Sequence, residues 1–272
     1  MTKNKKKTLP NSLIVTQSNE LVQARYILPV VEQRLVLMMI SKIQPDDEDF
    51  KPYRIRVNEL AEFLGVAKGS AYRECKKVTE NLLKRVLSIY ESDGLLQTNW
   101  VSSAKYIDGT GIVNLSFDPL LKPYLLQLKS NFTSCKLEML LSFKSQYTMR
   151  IYTLLKQYEK LKEREFELQQ LRETLGLQQN LHTEYRDFKR HVLLSTQKEL
   201  KEKSDLYFEF DEIKYGRKVG AIRFRIFTRD LPKTLPCEQT SLLEETTHVS
   251  HPTAFANLNA PKSPVIDELL FL

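Results

Sequence analysis

Hydrophobic and polar positions recur with a helical period over residues 58–90, and this stretch predicts two helices joined by a short turn. In the first helix Leu60, Phe63 and Leu64 share one face, and Gly65 suits the left-handed residue that ends many helices. The second helix carries basic residues on one side. Its inward-facing residues are predicted to be Val78, Leu82, Leu83 and Val86. The pattern predicts a helix-turn-helix with a basic second helix.

The same outline returns about 110 residues further along the chain. Leu171, Leu175 and Gly176 repeat the spacing of the first helix and its glycine. The pattern Tyr-Arg-acid-x-basic-basic occurs at residues 72–77 and again at residues 185–190. Any two amphipathic helices around a glycine can imitate one helix-turn-helix, but a matched pair is much harder to attribute to ordinary helix packing.

Predicted strands and hairpins flank both outlines. Residues 53–57 alternate as a short strand, and residues 95–117 form two strand-like runs around the turn residues Asp108 to Gly111. In the second unit residues 165–168 read as the short strand, and residues 206–227 alternate around a basic turn. The order helix, strand, helix, helix and hairpin is that of a winged helix. The sequence therefore predicts an α+β fold of two tandem winged-helix domains.

The sequence also predicts one further helix in each unit and a position for the single tryptophan. Residues 29–43 predict a helix behind the first helix-turn-helix, and residues 135–160 predict its counterpart in the second unit. On that second helix Lys144, Arg150 and Lys156 lie opposite the apolar stripe, where they either approach a DNA backbone or form a solvated face. Trp100 lies on the predicted hairpin as a packing residue.

Composition shifts divide the chain into four parts. We predict a disordered basic tail over residues 1–20, an N-terminal winged helix over 21–125, a C-terminal winged helix over 126–232 and a disordered tail over 233–272. The β-prone run LIVT at residues 13–16 can add a short strand. The last residues, VIDELLFL, are either a docking peptide, a segment that folds onto the body of the protein, or an end without a role.

Charge concentrates on the predicted winged helices. The chain has a formal net charge of +7, and residues 233–272 hold two lysines against five acidic residues, which leaves +10 on residues 1–232. A lysine-rich surface can serve solubility alone, but its coincidence with two basic second helices favours double-stranded DNA as a partner. The residues predicted to contact DNA are Tyr72, Arg73, Lys76, Lys77, Tyr185, Arg186, Lys189, Arg190, Lys214, Arg217 and Lys218.

Catalytic, cofactor and metal motifs are missing from the sequence. It has no Gly-rich phosphate loop, no His-hydrophobe-His pair and no Asp/Glu pattern that suggests a two-metal nuclease, so we predict a binding protein without catalytic, cofactor-binding or metal-binding residues. Cys75, Cys135 and Cys237 are too far apart for a CxxC motif and favour a reducing cytoplasm. No apolar run is long enough to span a membrane, and the N-terminus lacks a signal-peptide core.

The opening of the second unit carries the most specific resemblance. Its motif comprises Ser145, Tyr147, Arg150, Ile151, Tyr152, Leu154 and Leu155. With the paired helix-turn-helix outlines, it resembles the iteron-binding, theta-type plasmid replication initiators over about residues 20–230. The resemblance implies monomers that bind direct repeats at a plasmid origin, assist strand opening and recruit the host initiator and the replicative helicase. It also implies dimers, formed mainly through the N-terminal winged helix, that repress their own gene at an operator.

Carried onto this sequence, the resemblance implies two recognition helices. The C-terminal one would place Arg186, Lys189 and Arg190 at the major groove, and the N-terminal one would offer the basic residues of 72–77. Because arginine pairs bidentately with guanine and lysine more often holds phosphate, we predict that Arg186 or Arg190 reads bases. Ser195 and Thr196 align with Leu82 and Leu83 of the first unit, and this difference leaves the phase of the second helix open.

Three alternatives remain open from sequence. A winged-helix transcription regulator would carry the same DNA-binding parts. A rolling-circle nicking initiator would need unusual metal ligands. A structural adaptor with merely solvated basic faces would bind DNA weakly and without a salt dependence.

Overall fold

The computed structural model describes residues 13–65, 68–177 and 184–230. The N-terminal part contains β1 (Ile14–Ser18), α1 (Asn19–Gln23), α2 (Val30–Ile40), β2 (Tyr53–Arg56), α3 (Val57–Leu64), α4 (Ala71–Leu83), β3 (Val86–Tyr90), β4 (Leu95–Asn99), β5 (Val101–Ile107), β6 (Ile112–Phe117) and α5 (Lys122–Leu125). The C-terminal part contains β7 (Phe132–Lys136), α6 (Leu137–Ser142), α7 (Gln146–Lys156), β8 (Glu163–Glu167), α8 (Leu168–Thr174), α9 (Tyr185–Phe188), α10 (Ser195–Lys203), β9 (Leu206–Tyr215) and β10 (Lys218–Thr228).

The first helix-turn-helix is formed by α3 and α4, as predicted. Leu60, Phe63 and Leu64 are buried, and Gly65 ends α3 in the left-handed region with φ of 71°. A residue with a Cβ is strained at such a φ, so glycine is the residue suited to this turn. Strands β2, β6 and β5 form an antiparallel three-stranded sheet in that order, with β5 and β6 as the wing.

Helix α4 is shorter than predicted. It ends at Leu83, and Val86, expected on its inward face, begins strand β3 and is 52% exposed. The run from Val86 to Tyr90 alternates between exposed and buried side chains, which is the period of a strand. Leu82 is buried as expected, whereas Val78 and Leu83 are only partly buried.

The predicted hairpin over residues 95–117 is divided between two sheets. Strand β4 pairs with β3, and only β5 and β6 form the wing. Trp100 lies at the junction of β4 and β5 and is fully buried, with its ring edge-to-face against Tyr26 at 5.0 Å between centroids. It is a packing residue, as predicted.

The second winged helix repeats this plan. Helix α8 ends before Gly176, which has φ of 68°, and the second helix of the motif starts at Tyr185. The turn residues 178–183 lie outside the described residues. Strands β8, β10 and β9 form its antiparallel sheet, with β9 and β10 as the wing. The predicted fold of two tandem winged helices is confirmed.

A strand pair joins the two units. Each unit is preceded by a strand and two helices, and β1 pairs antiparallel with β7, from Ile14 opposite Lys136 to Ser18 opposite Phe132. The short strand predicted from residues 13–16 is β1, so residues 14–20 are part of the fold and the predicted disordered tail does not extend to residue 20. Residues 1–12 and the predicted tail over 233–272, with its VIDELLFL end, lie outside the described residues.

The position of Arg150 contradicts both predictions for its side chain, which are contact with a DNA backbone and a solvated helix face. It is buried, neither solvated nor available to DNA, and its guanidinium donates to three carbonyl oxygens and to the Tyr26 hydroxyl. The carbonyls belong to Val22, Ala24 and Thr174, at distances from 2.7 to 3.0 Å. Arg150 thus ties the segment after β1 to the second helix-turn-helix. Lys156 is also predicted to approach DNA or lie in solvent, but its ammonium group pairs with Glu159 and Asp205.

Candidate nucleic-acid interface

Helix α4 presents a basic face to solvent. Arg73, Lys76 and Lys77 are exposed, while Cys75 and Thr79 face the core. A helix places side chains three and four positions apart on one side, so the repeat of buried positions leaves the intervening cations outside.

The aromatic side chain beside this face is supported by the wing. Tyr72 is 51% exposed, and its ring meets that of Tyr106 on β5 with 5.2 Å between centroids. Hydroxyl groups of Tyr106 and Thr79 lie 3.0 Å apart. The wing therefore fixes the position of Tyr72 at the edge of the basic face.

The second recognition helix runs without a break from Tyr185 to Lys203. It comprises α9, a π-helical segment over Lys189–Leu194, and α10. Phe188 is fully buried at the position equivalent to Cys75 of the first unit. Arg186 and Arg190 point to solvent, and the Arg186 side chain is 90% exposed. Both arginines predicted to read bases are therefore accessible.

The π-helical segment determines which side chains in the second half of this helix face the core, a point that the sequence left open. A π turn contains one more residue than an α turn, so side chains after it move by one position around the axis. Ser195, the equivalent of the buried Leu82, is accordingly exposed, and Thr196 is buried in its place. Arg186 precedes the π-helical segment, and Arg190 lies at its second position.

Lys189 differs from its equivalent in the first unit. Its Nζ donates to Glu212 Oε1 of strand β9 at 2.6 Å, whereas Lys76 is exposed on α4. The bond to Lys189 lowers the pKa of the Glu212 carboxyl below its usual value. Burial and the Glu212 carboxylate raise the pKa of Tyr185. Lys189, predicted to contact DNA, is thus paired with a carboxylate that sequence reasoning missed.

The second wing has a cationic tip. Strands β9 and β10 turn at Gly216, which has φ of 67°, and Lys214, Arg217 and Lys218 around it are all exposed. The Tyr215 ring covers Gly220, where a Cβ would collide with it. Cations at a hairpin tip can lie against phosphates or enter a minor groove.

The outer face of the same sheet is not part of the basic surface. Arg223 pairs with Glu163 and Glu165, and Arg225 pairs with Glu209 and Asp211. These arginines face carboxylates across neighbouring strands, which is a common way to stabilise an exposed sheet face.

The described residues include neither a metal-binding cluster nor an exposed thiol. Within residues 13–65, 68–177 and 184–230, no group of three or more His, Cys, Asp or Glu side chains is placed to hold a metal ion. Cys75 and Cys135 are buried thiols, and burial raises the pKa of the Cys75 thiol to about 11. Cys237, His182, His248 and His251 lie outside this part of the chain. No helix among the described residues is both long and apolar enough to span a bilayer.

The fold and its exposed basic helices define a double winged-helix protein of the kind that binds nucleic acid. The family model described as "Initiator Replication protein, WH1" matches residues 14–156, and the model described as "Initiator Rep protein, WH2" matches residues 167–226. The first match alone spans more than half of the 272 residues. The chain therefore belongs to the initiator replication protein family, and the predicted class of plasmid replication initiator is confirmed.

The curated relatives include two named proteins of Escherichia coli. A "Replication initiation protein" is 29% identical over 227 residues, which cover 79% of this chain and 70% of the relative. A "PI protein" is 25% identical over 247 residues, which cover 77% of this chain and 81% of that protein. Among solved structures, the crystal structure of a Pi initiator protein in complex with iteron DNA has a TM-score of 0.64 at 22% identity, covering 82% of this chain and 99% of that one. The structural likeness supports the fold.

Proposed function

We propose that the chain initiates plasmid replication by binding direct repeats, or iterons, at the origin and assisting strand opening there. The observation that carries this proposal is the pair of exposed basic recognition helices, the second of which stands beside a cationic wing. The similar fold of a Pi initiator that was crystallised with iteron DNA supports it. The action is that of a binding protein and not of an enzyme.

Within this proposal the exposed cations have separate tasks. Arg186 and Arg190 read base edges in the major groove, because their guanidinium groups are accessible and suit bidentate contact with guanine. Lys214, Arg217 and Lys218 hold phosphates, which fixes the register of the protein on the duplex. In the first unit, Tyr72, Arg73, Lys76 and Lys77 form the second contact surface.

Assembly is the further part of the proposal and rests on the resemblance to plasmid initiators. We infer that monomers occupy the origin repeats and exchange with homodimers formed through the winged helix of residues 21–125. Dimers repress the chain's own gene at an operator, and origin-bound monomers recruit the host initiator and the replicative helicase. The winged helix of residues 126–232 makes the main contact with the repeats. All of these steps would take place in the bacterial cytoplasm.

A titration of the purified protein tests the DNA-binding core of this proposal. One duplex carries the direct repeats beside the protein's own gene, and a second carries the same bases in scrambled order. Each duplex is titrated at several salt concentrations. Each neutralised phosphate adds about −0.9 to the slope of log affinity against log salt. We expect tight, stepwise occupancy of successive repeats, and binding that ignores the repeats would contradict the proposal.

Two further assays separate the remaining alternatives. Origin-dependent replication of a plasmid with the purified protein distinguishes an initiator from a transcription regulator. Incubation with supercoiled plasmid and magnesium tests for a nicking initiator. We expect replication and no open circles or covalent DNA adduct.

A further inference from the structure

Glu212 is a carboxylate inside the predicted DNA-binding surface of the second unit. It lies on β9 between the recognition helix and the cationic wing tip, and its side chain is 24% exposed. Its Oε1 accepts a hydrogen bond from Lys189 Nζ at 2.6 Å. Tyr185, whose pKa this carboxylate helps to raise, and Lys214, two positions further along β9, lie nearby. One carboxylate therefore lies among three residues predicted to contact DNA.

The strand period sets Glu212 apart from the other acidic residues of β9. Side chains alternate between the two faces of a strand. Leu206, Phe208 and Phe210 turn toward the core and the helix, and Glu212 follows in the same alternation. Glu209 and Asp211 lie on the opposite face, where they pair with Arg225. Of these three carboxylates, Glu212 is the one that faces the recognition helix.

An ion pair at this place changes how the surface attracts DNA. Affinity for arbitrary DNA depends mainly on how many cations neutralise phosphates, whereas discrimination comes from contacts with base edges. The Glu212 carboxylate offsets the charge of Lys189 and repels a phosphate that approaches it. Arg186 and Arg190, on the same helix, remain exposed.

We propose that Glu212 is a specificity-determining residue that withholds Lys189 from phosphate and so weakens binding to arbitrary DNA relative to the origin repeats. This inference rests on the proposed DNA-binding function and deepens it. Raising the cost of binding the wrong partner is a recognised route to specificity.

The variant Glu212→Gln tests the proposal with little change in shape. Lys189 then becomes available to phosphate, so the salt slope on scrambled duplex should become steeper by about 0.9, equivalent to about eightfold tighter binding at 0.1 M salt if the two lines meet near 1 M. On the repeat duplex the gain should be smaller, because base contacts already fix the position of the helix. The ratio of specific to non-specific affinity should therefore fall.

Two control variants sharpen the measurement. Glu209→Gln removes a carboxylate from the opposite face of the same strand and should leave the slope unchanged. Glu212→Gln combined with Lys189→Met removes the cation that the single change releases, so its slope should return to that of the wild type. Thermal unfolding of each variant checks that the fold is retained.

The outcomes separate the role of Glu212 from the function itself. A wild type that discriminates the repeats and a Glu212→Gln variant with an unchanged slope would overturn the role of Glu212 alone. Equal weakening of the variant on both duplexes would show that Glu212 only holds the helix to the wing, and would also overturn it. A wild type that binds both duplexes equally would contradict the proposed function.

Discussion

The two winged helices share a sequence pattern and differ in the surface it produces. The central position of the repeated motif is fully buried in both units, as Cys75 in the first and Phe188 in the second. The following lysine is exposed on α4 as Lys76, whereas Lys189 is paired with Glu212. Repetition of the sequence thus preserves the packing side of the recognition helix and leaves its outer side free to diverge.

The wings differ even more than the helices. The tip of the first wing runs from Asp108 to Gly111 and contains no lysine or arginine. The tip of the second wing carries Lys214, Arg217 and Lys218. Because cations near the backbone supply most of the salt-dependent attraction to DNA, we expect the second unit to supply the larger part of it.

Loss of Arg150 should have the largest effect, because this side chain ties the two units together. In Arg150→Met three carbonyl oxygens and the Tyr26 hydroxyl lose their buried donor. We expect the free energy of unfolding to fall by about 3 to 5 kcal/mol. Urea unfolding measures it. Arg223→Met, on the exposed sheet face, is the matched control and should change stability little.

Substitution of the two equivalent turn glycines by alanine should lower the stability of the protein to different extents. Gly65 and Gly176 both have positive φ, but a Cβ on Gly176 would overlap the Ile27 side chain and the Tyr26 carbonyl, whereas a Cβ on Gly65 meets no described atom within 4 Å. We expect Gly176→Ala to destabilise by about 2 to 4 kcal/mol, from both backbone strain and overlap. Gly65→Ala should cost about 1 kcal/mol. Equal losses in thermal or urea unfolding would contradict the asymmetry.

Removing charge from the second wing should weaken DNA binding without regard to sequence. The double variant Arg217→Ala and Lys218→Ala should make the salt slope shallower by about 1.8, because two phosphate contacts are lost. Repeat and scrambled duplexes should be affected alike. Asp108→Asn at the first wing tip is the control for a charge change at a hairpin turn. A comparable slope change in that control would show that the two wings are not distinct.

Local features of the fold could be predicted from sequence, and long-range ones could not. The left-handed Gly65 and Gly176, the two helix-turn-helix motifs and the second wing follow from short-range periodicity and turn chemistry. The sequence pattern predicts helix through Val86–Tyr90, where the structure has a strand, because a short alternating run next to a helix is compatible with either period. The pairing of β1 with β7 joins residues more than 100 positions apart, and no local pattern encodes it.

The types of residue in the candidate site could be predicted from sequence, but their hydrogen-bond and ion-pair partners could not. The exposure of Arg186 and Arg190 follows from their place on an amphipathic helix. The bond of Lys189 to Glu212 depends on how the wing strand lies against that helix, and the burial of Arg150 depends on three carbonyls from two distant segments. Sequence alone presents all of these cations as equivalent surface charges.

Arg186→Ala and Arg73→Ala, compared on repeat and scrambled duplexes at one salt concentration, test most directly whether the second unit reads the sequence. We expect Arg186→Ala to lose about 1 to 3 kcal/mol of affinity for the repeats and little for the scrambled duplex, so that discrimination falls. Arg73→Ala should retain most of the discrimination. If Arg186→Ala weakened binding to every sequence equally, the assignment of base reading to the second recognition helix would be wrong.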